Sequence, residues 1–240
     1  MARRRVSQPE GGYAAAMRAP AVLFDVDGTL VDSNYLHVYA WLRAFDSEGI
    51  SVAAWQIHRC IGMDGSKLVA ALSDDAPADV RDRLSDAHSR YYREISPLLA
   101  PLPGARDLLR HVADLGLQVV LASSAPDDDL EMLRKVLDCD DVIAATTSSR
   151  DVDTAKPEPG IVEVALHRAA VTPETAVFVG DAVWDAHAAQ AAGVPCIAVL
   201  SGGTSHEELA AAGASPVFAD ARDLLKQLSS TRIAALAPGR

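Results

Sequence analysis

Cysteine is scarce in this 240-residue chain: Cys60, Cys139 and Cys196 are three in number and far apart. An odd, dispersed set fits neither a disulfide scaffold nor a thiolate zinc site, and goes with a reducing, cytoplasmic compartment. Positive charge is short as well, with 22 Lys and Arg against 33 Asp and Glu, a balance of −11. A chain this acidic repels phosphate backbones, so nucleic acid is excluded as a general partner. No stretch approaches the ~20 apolar residues of a membrane span, the histidines show no metal-ligand spacing, and there is no internal repeat. Met1–Arg5 is basic, but Val6–Met17 holds Gln, Pro, Glu and two Gly where a signal peptide needs an apolar region. Residues 1–17 are therefore expected to be a disordered tail, and residues 233–240 a second one.

What remains is ordinary globular material, 49% hydrophobic and 23% charged. Ala21–Phe24 is a short apolar run ending at acids, which reads as a buried strand. Asn34–Glu48 follows a helical period, and residues 51–96 continue helical with turns near 61–65 and 74–77; Arg81–Ile95 reads as one long charged helix. Pro97, Pro101, Pro103 and Gly104 break it. From there the chain alternates: helix Ala105–Leu115, strand Gln118–Ala122, helix Asp127–Leu137, strand Val142–Ala145, helix Gly160–Ala170, strand Ala176–Val179. Trp184–Ala192, Cys196–Leu200, His206–Ala212, Val217–Ala219 and Ala221–Leu228 continue the rhythm. This predicts an α/β fold with a doubly wound, Rossmann-like parallel sheet. Residues 18–32 and 103–232 would form the core, and the helical stretch 33–102 an inserted second domain.

In such sheets the ligand site lies at the carboxyl ends of the strands, and four strand ends here carry polar groups. Asp25 is a carboxylate able to attack phosphorus. Asp27, two residues on, points to the same side in an extended segment and suits a general acid. Gly28 allows a tight turn after it. Asp181, with Asp185 behind it, offers hard oxygen ligands for Mg²⁺. Ser123 can donate a hydroxyl to a phosphoryl oxygen. Lys156, one of only four lysines, supplies fixed positive charge where negative charge gathers. Asp25 and Asp27 could instead be turn or cap residues, and Asp185 a first-turn residue favoured by the helix dipole. Two acids at a buried strand end are costly without a cation, however.

From Ala21 to Leu228 the chain resembles the haloacid dehalogenase-like hydrolases. The family's four motifs occur in order: Asp25-x-Asp27-Gly28-Thr29-Leu30, Ser123, Lys156-Pro157 and Gly180-Asp181-x-x-x-Asp185. The resemblance implies Asp25 as nucleophile and Asp27 as acid/base. It implies Mg²⁺ held by Asp25, the Asp27 main-chain carbonyl and Asp181, with Asp185 beside them. Residues 33–102 would be a helical cap closing over a small phosphorylated metabolite, with Gly28, Thr29 and Ser124 near the phosphate. An aspartate at position 27 is what phosphoryl-transfer members carry, whereas dehalogenases lack it.

Within the cap, Arg59, Asp64 and Lys67 flank a glycine turn that could face the cleft or simply form a solvated helix-end cluster. His37 and Trp41, at i and i+4, are either core packing or substrate contacts. The family resemblance admits a phosphatase or a sugar-phosphate mutase. The mutase needs cations for a second phosphate, and by resemblance their places are held here by Gly65 and Ala87, although Arg59 and Lys67 could substitute. A phosphatase acting on phosphoglycolate or a sugar phosphate is the favoured expectation, as a monomer or homodimer without a membrane partner. A non-catalytic binding protein of the same fold is the third possibility.

Overall fold

The computed structural model describes residues 18–151 and 156–238. The expected N-terminal tail thus lies outside the described residues. Six parallel strands form one sheet: β1 (Ala21–Phe24), β2 (Gln118–Ala122), β3 (Ile143–Thr147), β4 (Ala176–Gly180), β5 (Cys196–Val199) and β6 (Val217–Phe218). Their spatial order is β3-β2-β1-β4-β5-β6. The chain winds from β1 to one edge and then returns to wind to the other, so the switch point lies between β1 and β4.

Strand alternation divides the core in two. Val22 and Phe24 of β1 face helices α5 (Ala105–Asp114), α6 (Asp127–Leu137), α10 (Ala221–Gln227) and α11 (Arg232–Leu236). Ala21 and Leu23 face α7 (Gly160–Ala169), α8 (Val183–Ala191) and α9 (His206–Ala211). Both faces being covered, β1 and β4 are apolar throughout and buried at every position.

Between β1 and β2 stand α1 (Asn34–Ser47), α2 (Ala54–Cys60), α3 (Gly65–Leu72) and α4 (Ala78–Ile95). They bury their own cluster, including Trp41, Phe45, Ile57, Leu68 and Leu84. The two chain crossings into this insert run side by side: Asp32 N donates to Ala100 O at 2.9 Å, Leu102 N donates to Leu30 O at 2.8 Å, and Val31 bridges Pro101 antiparallel.

Three boundaries depart from the sequence reading by more than one residue. β3 runs on to Thr147, because Thr146 and Thr147 pair with Leu121 and Ala122 of β2 and β-branched residues suit that ladder. α4 starts at Ala78, directly after Pro77, which sits at its N-cap. The segment 233–240, expected as a tail, opens with most of α11, whose Ile233 is fully buried against the core. Among the described residues no helix is long and apolar enough to cross a membrane.

Candidate active site

β1 delivers Asp25 at the switch point, where its amide donates to Val179 O of β4 at 2.9 Å. β4 delivers Asp181 beside it. Lys156, on the connection from β3 to α7, is 1% exposed and reaches both Asp25 Oδ1 (2.5 Å) and Asp185 Oδ1 (2.6 Å). Asp185 Oδ2 accepts the backbone amides of Asp181 (3.1 Å) and Ala182 (3.0 Å) at the start of α8. Asp185 is thus both the first-turn helix residue of the dipole reading and an ion-pair partner. Asp181, by contrast, is held by neutral donors: Thr29 Oγ1 at 2.7 Å and Asn34 Nδ2 at 2.9 Å.

The turn after β1 needs glycine twice over. Gly28 has φ +74°, and a Cβ there would lie 2.3 Å from Asn34 Nδ2 and 2.5 Å from Asp181 Oδ2. Its amide donates to Val31 O (2.8 Å), and Ser201 Oγ donates to its carbonyl (2.7 Å). The turn aims Asp27 at the first turn of α1. Ser33 stands at the N-cap of α1 but makes no cap bond with its side chain, which donates to Asp27 Oδ1 at 2.5 Å instead. One turn on, His37 Nε2 lies 3.3 Å from the same oxygen. A carboxylate only accepts, so Nε2 carries the proton while Asp27 is ionised.

Burial is the largest influence on Asp25, Asp27 and Asp181, and the outcomes differ. It pushes Asp25 well up, helped by the charges of Asp185, Asp181 and Asp27 and opposed by Lys156. It pushes Asp181 up to about 7, helped by Asp185. For Asp27 it is outweighed by the His37 and Ser33 hydrogen bonds and the His37 charge, so that pKa is lowered. Burial also tends to neutralise Lys156, but its two carboxylate partners prevail and raise its pKa. Four acids thus surround one lysine. Asp25, Asp181 and Asp185 each bring a carboxylate oxygen within 4.8 Å of the others. Asn34 Oδ1 nearby is buried without a hydrogen-bond partner among the described residues. A buried hard-oxygen set with excess negative charge fits a divalent cation such as Mg²⁺.

Above the acids lies a cleft of about 350 Å³ between insert and core, within the range of small-ligand sites. Asp25, Asp27, His37, Ser124 and Lys156 line it. Ser124 Oγ is buried with no partner among the described residues, as a hydroxyl waiting for an acceptor would be. Ser123 lies below, its Oγ accepting the Ala125 amide at 3.0 Å; it is absent from the cleft lining.

Arg59 and Lys67 are placed elsewhere. Arg59 pairs with Glu208 of α9 and Lys67 with Glu158, both at exposed seams between insert and core, and neither lines the cleft. Their place in the cleft is taken by Asp64 and Gly65. Ala87 is packed inside the insert, and the next residue, His88, does the work at that turn. His88 Nε2 lies 3.1 Å from His37 Nδ1, and its ring stacks on Trp41 at 4.0 Å. Burial, then the His37 charge, lowers the His88 pKa well below 6.5. When the proton of His37 sits on Nε2, its Nδ1 is an acceptor for His88 Nε2–H, a contact that favours the tautomer facing Asp27. Ser33, Asn34, His88 and Asp129 were not singled out by the sequence reading. Only Ser33 and Asn34, adjacent to the first motif, carried a local signal for it.

The sequence profile of a family described as haloacid dehalogenase-like hydrolase matches residues 22–199. A phosphorylated carbohydrates phosphatase from Thermotoga maritima is 30% identical over 179 residues, which are 72% of this chain and 82% of that protein. A phosphoglycolate phosphatase from Pseudomonas putida is 29% identical over 211 residues, covering 85% and 78%. A solved hydrolase structure from Pseudomonas syringae superposes with a TM-score of 0.84 at 35% identity, covering 88% of this chain and 98% of that one.

Proposed function

Because the chain belongs to the haloacid dehalogenase-like hydrolase family, we propose that it is a Mg²⁺-dependent phosphatase that hydrolyses a small phosphorylated metabolite through an aspartyl-phosphate on Asp25. The observation that carries the reading is the convergence of Asp25, Asp27 and Lys156 on one cleft, with Asp181 behind them. The phosphatases at 30% and 29% identity support hydrolysis.

In this reading Lys156 occupies Oδ1 of Asp25 and leaves Oδ2 to attack phosphorus. The bond from phosphorus to the substrate's alcohol oxygen breaks as Asp27 passes its proton to that oxygen. Water then attacks the phosphoryl group and gives its proton back to Asp27. The Asp25–phosphorus bond breaks, inorganic phosphate leaves, and both acids are restored. Ser124, and Ser123 if its hydroxyl turns upward, donate to phosphoryl oxygens; Thr29 and Asn34 hold Asp181. His37, seated by His88, orients Asp27. Asp25, Asp181 and the Asp27 carbonyl would hold Mg²⁺, which would supply charge neutralisation for the phosphoryl oxygens. Asp185 braces Lys156 from behind.

The test is phosphate release from a panel of phosphomonoesters. We expect turnover with Mg²⁺ and its loss on chelation with EDTA, restored by Mg²⁺. Absence of release across the whole panel would sink the proposal. The mutase reading predicts instead dependence on a bisphosphate activator with little free phosphate.

Metal binding has a readout apart from activity. Asp181 holds its proton up to about pH 7 in the folded protein, against an ordinary 3.8. Its contribution to stability is therefore full at low pH and is lost as pH rises through about 7. A cation replaces that proton. The Tm gain from saturating Mg²⁺ should accordingly be larger at pH 8 than at pH 6; an equal gain at both would place the metal away from Asp181.

A further inference from the structure

The cleft contains a carboxylate for which the mechanism has no use. Asp129, on the first turn of α6, is 8% exposed, lines the cleft and has no hydrogen-bond partner among the described residues. Its neighbours on that turn are ordinary first-turn acids: Asp127 pairs with Arg150 and Asp128 is exposed. A helix dipole favours acids at such a turn. It does not account for one that is buried against the cavity while making no bond to the helix amides.

The surrounding wall is equally one-sided. Among the described lining residues Lys156 is the only lysine or arginine, and its charge is committed to Asp25 and Asp185. Asp64, Ser66, Ser85, His88 and Ser89 supply the polar groups on the insert side. An anion there would lose water and face Asp64 and Asp129 with no lysine or arginine among the described lining residues on that side; the Arg93 charge reaches Asp129 only from outside the lining, and His37 is taken up by Asp27. A hydroxyl or ammonium would instead give Asp129 the donor it lacks.

Resting on the phosphatase reading, the geometry points to a substrate with a single anionic group: the phosphomonoester of a hydroxyl- or amine-bearing carbon skeleton, one donor of which is held by Asp129. The cleft thus selects against the carboxylate of a phosphoacid and against a second phosphate. Selection comes from repulsion as much as from fit.

The experiment compares kcat/KM for glucose 6-phosphate, glucosamine 6-phosphate and 6-phosphogluconate, which share a phosphate and differ in the far group. Wild-type enzyme should disfavour 6-phosphogluconate by at least about 10-fold, a difference of ~1.4 kcal/mol. In Asp129→Asn the penalty should shrink by about 5-fold or more, mainly through KM, since the variant removes one repelling charge. Loss on glucosamine 6-phosphate greater than on glucose 6-phosphate would identify the donor as an ammonium; equal losses would identify a hydroxyl. Equal use of 6-phosphogluconate by the wild type, or an unchanged ratio in Asp129→Asn, would overturn the inference. If Asp129→Asn does not fold, the wild-type ranking decides alone. Hydrolysis of p-nitrophenyl phosphate by the wild type tests the underlying reading separately. Were it absent, calorimetric binding of the same three compounds would still rank them and uphold or overturn the selection.

Discussion

Asp25→Asn protein should fold, bind phosphomonoesters and turn them over at least about 10³-fold more slowly than wild type, because an amide cannot open the covalent route. The substitution keeps the side chain's shape. Lys156 loses one of its two partners but keeps Asp185 at 2.6 Å, so the lysine is not left as an isolated buried charge. Burial and three neighbouring carboxylates already make an ionised Asp25 costly. Removing its charge should therefore not lower Tm in metal-free protein. The pair of measurements is phosphate release and thermal denaturation. Retained turnover with p-nitrophenyl phosphate would refute Asp25 as nucleophile, and lost turnover accompanied by a collapsed Tm would assign the residue a structural role.

Asp27→Asn should act on both half-reactions, and the leaving group should separate them. Loss of a positioned acid and base costs ~10²–10⁴ in rate. p-Nitrophenolate leaves without needing a proton, so with p-nitrophenyl phosphate the first step should survive better than the second. Rapid mixing should then show a burst of p-nitrophenolate approaching one per enzyme, followed by slow release of phosphate. An alkyl phosphate needs the proton from the start and should show no burst. Equal rates for variant and wild type on an alkyl phosphate would remove Asp27 from the mechanism. The Ser33 and His37 hydrogen bonds make the free-enzyme Asp27 a poor proton donor, since they hold its pKa down. An arriving anionic phosphate opposes that effect, so the protonated form becomes available with substrate present.

Much of the fold and the centre of the site were legible in the chain because their signals are local. Apolar runs such as Ala176–Gly180, closed by Asp181, mark a covered strand and its ligand end together. Asp25, Asp27, Lys156 and Asp181 stand out because acids and a rare lysine at strand ends conflict with burial unless chemistry requires them. The insert was read less well, for reasons of the same physics run in reverse. Arg59 and Lys67 lie on either side of a glycine turn that does border the cleft, but sequence does not say which way a long side chain points; Glu208 and Glu158, distant along the chain, decide it. His88 carries no local signal, since whether buried Ala87 or its neighbour His88 faces the cleft at that helical turn is decided only once α4 is packed on α1. Asp129 looks like any other acid at a helix start until α6 is set beside the insert.

On the proposed reading, the paired crossings at residues 30–32 and 100–102 divide the chain into a reacting half, which also carries Asp129 of the selecting wall, and an insert that supplies the rest of that wall, so altering the insert retargets part of the specificity. The first turn of α1 blurs that division. Ser33, Asn34 and His37 belong to the insert by chain position, yet they hold Asp27 and Asp181. Transplanting the helices of a relative with another specificity at residue 33 would carry away part of the reacting half, whereas a junction placed after His37 would keep it. The part of the insert that can be exchanged without touching the groups that hold Asp27 and Asp181 is therefore shorter than the inserted domain, and the boundary of the domain is not the boundary of the work it does.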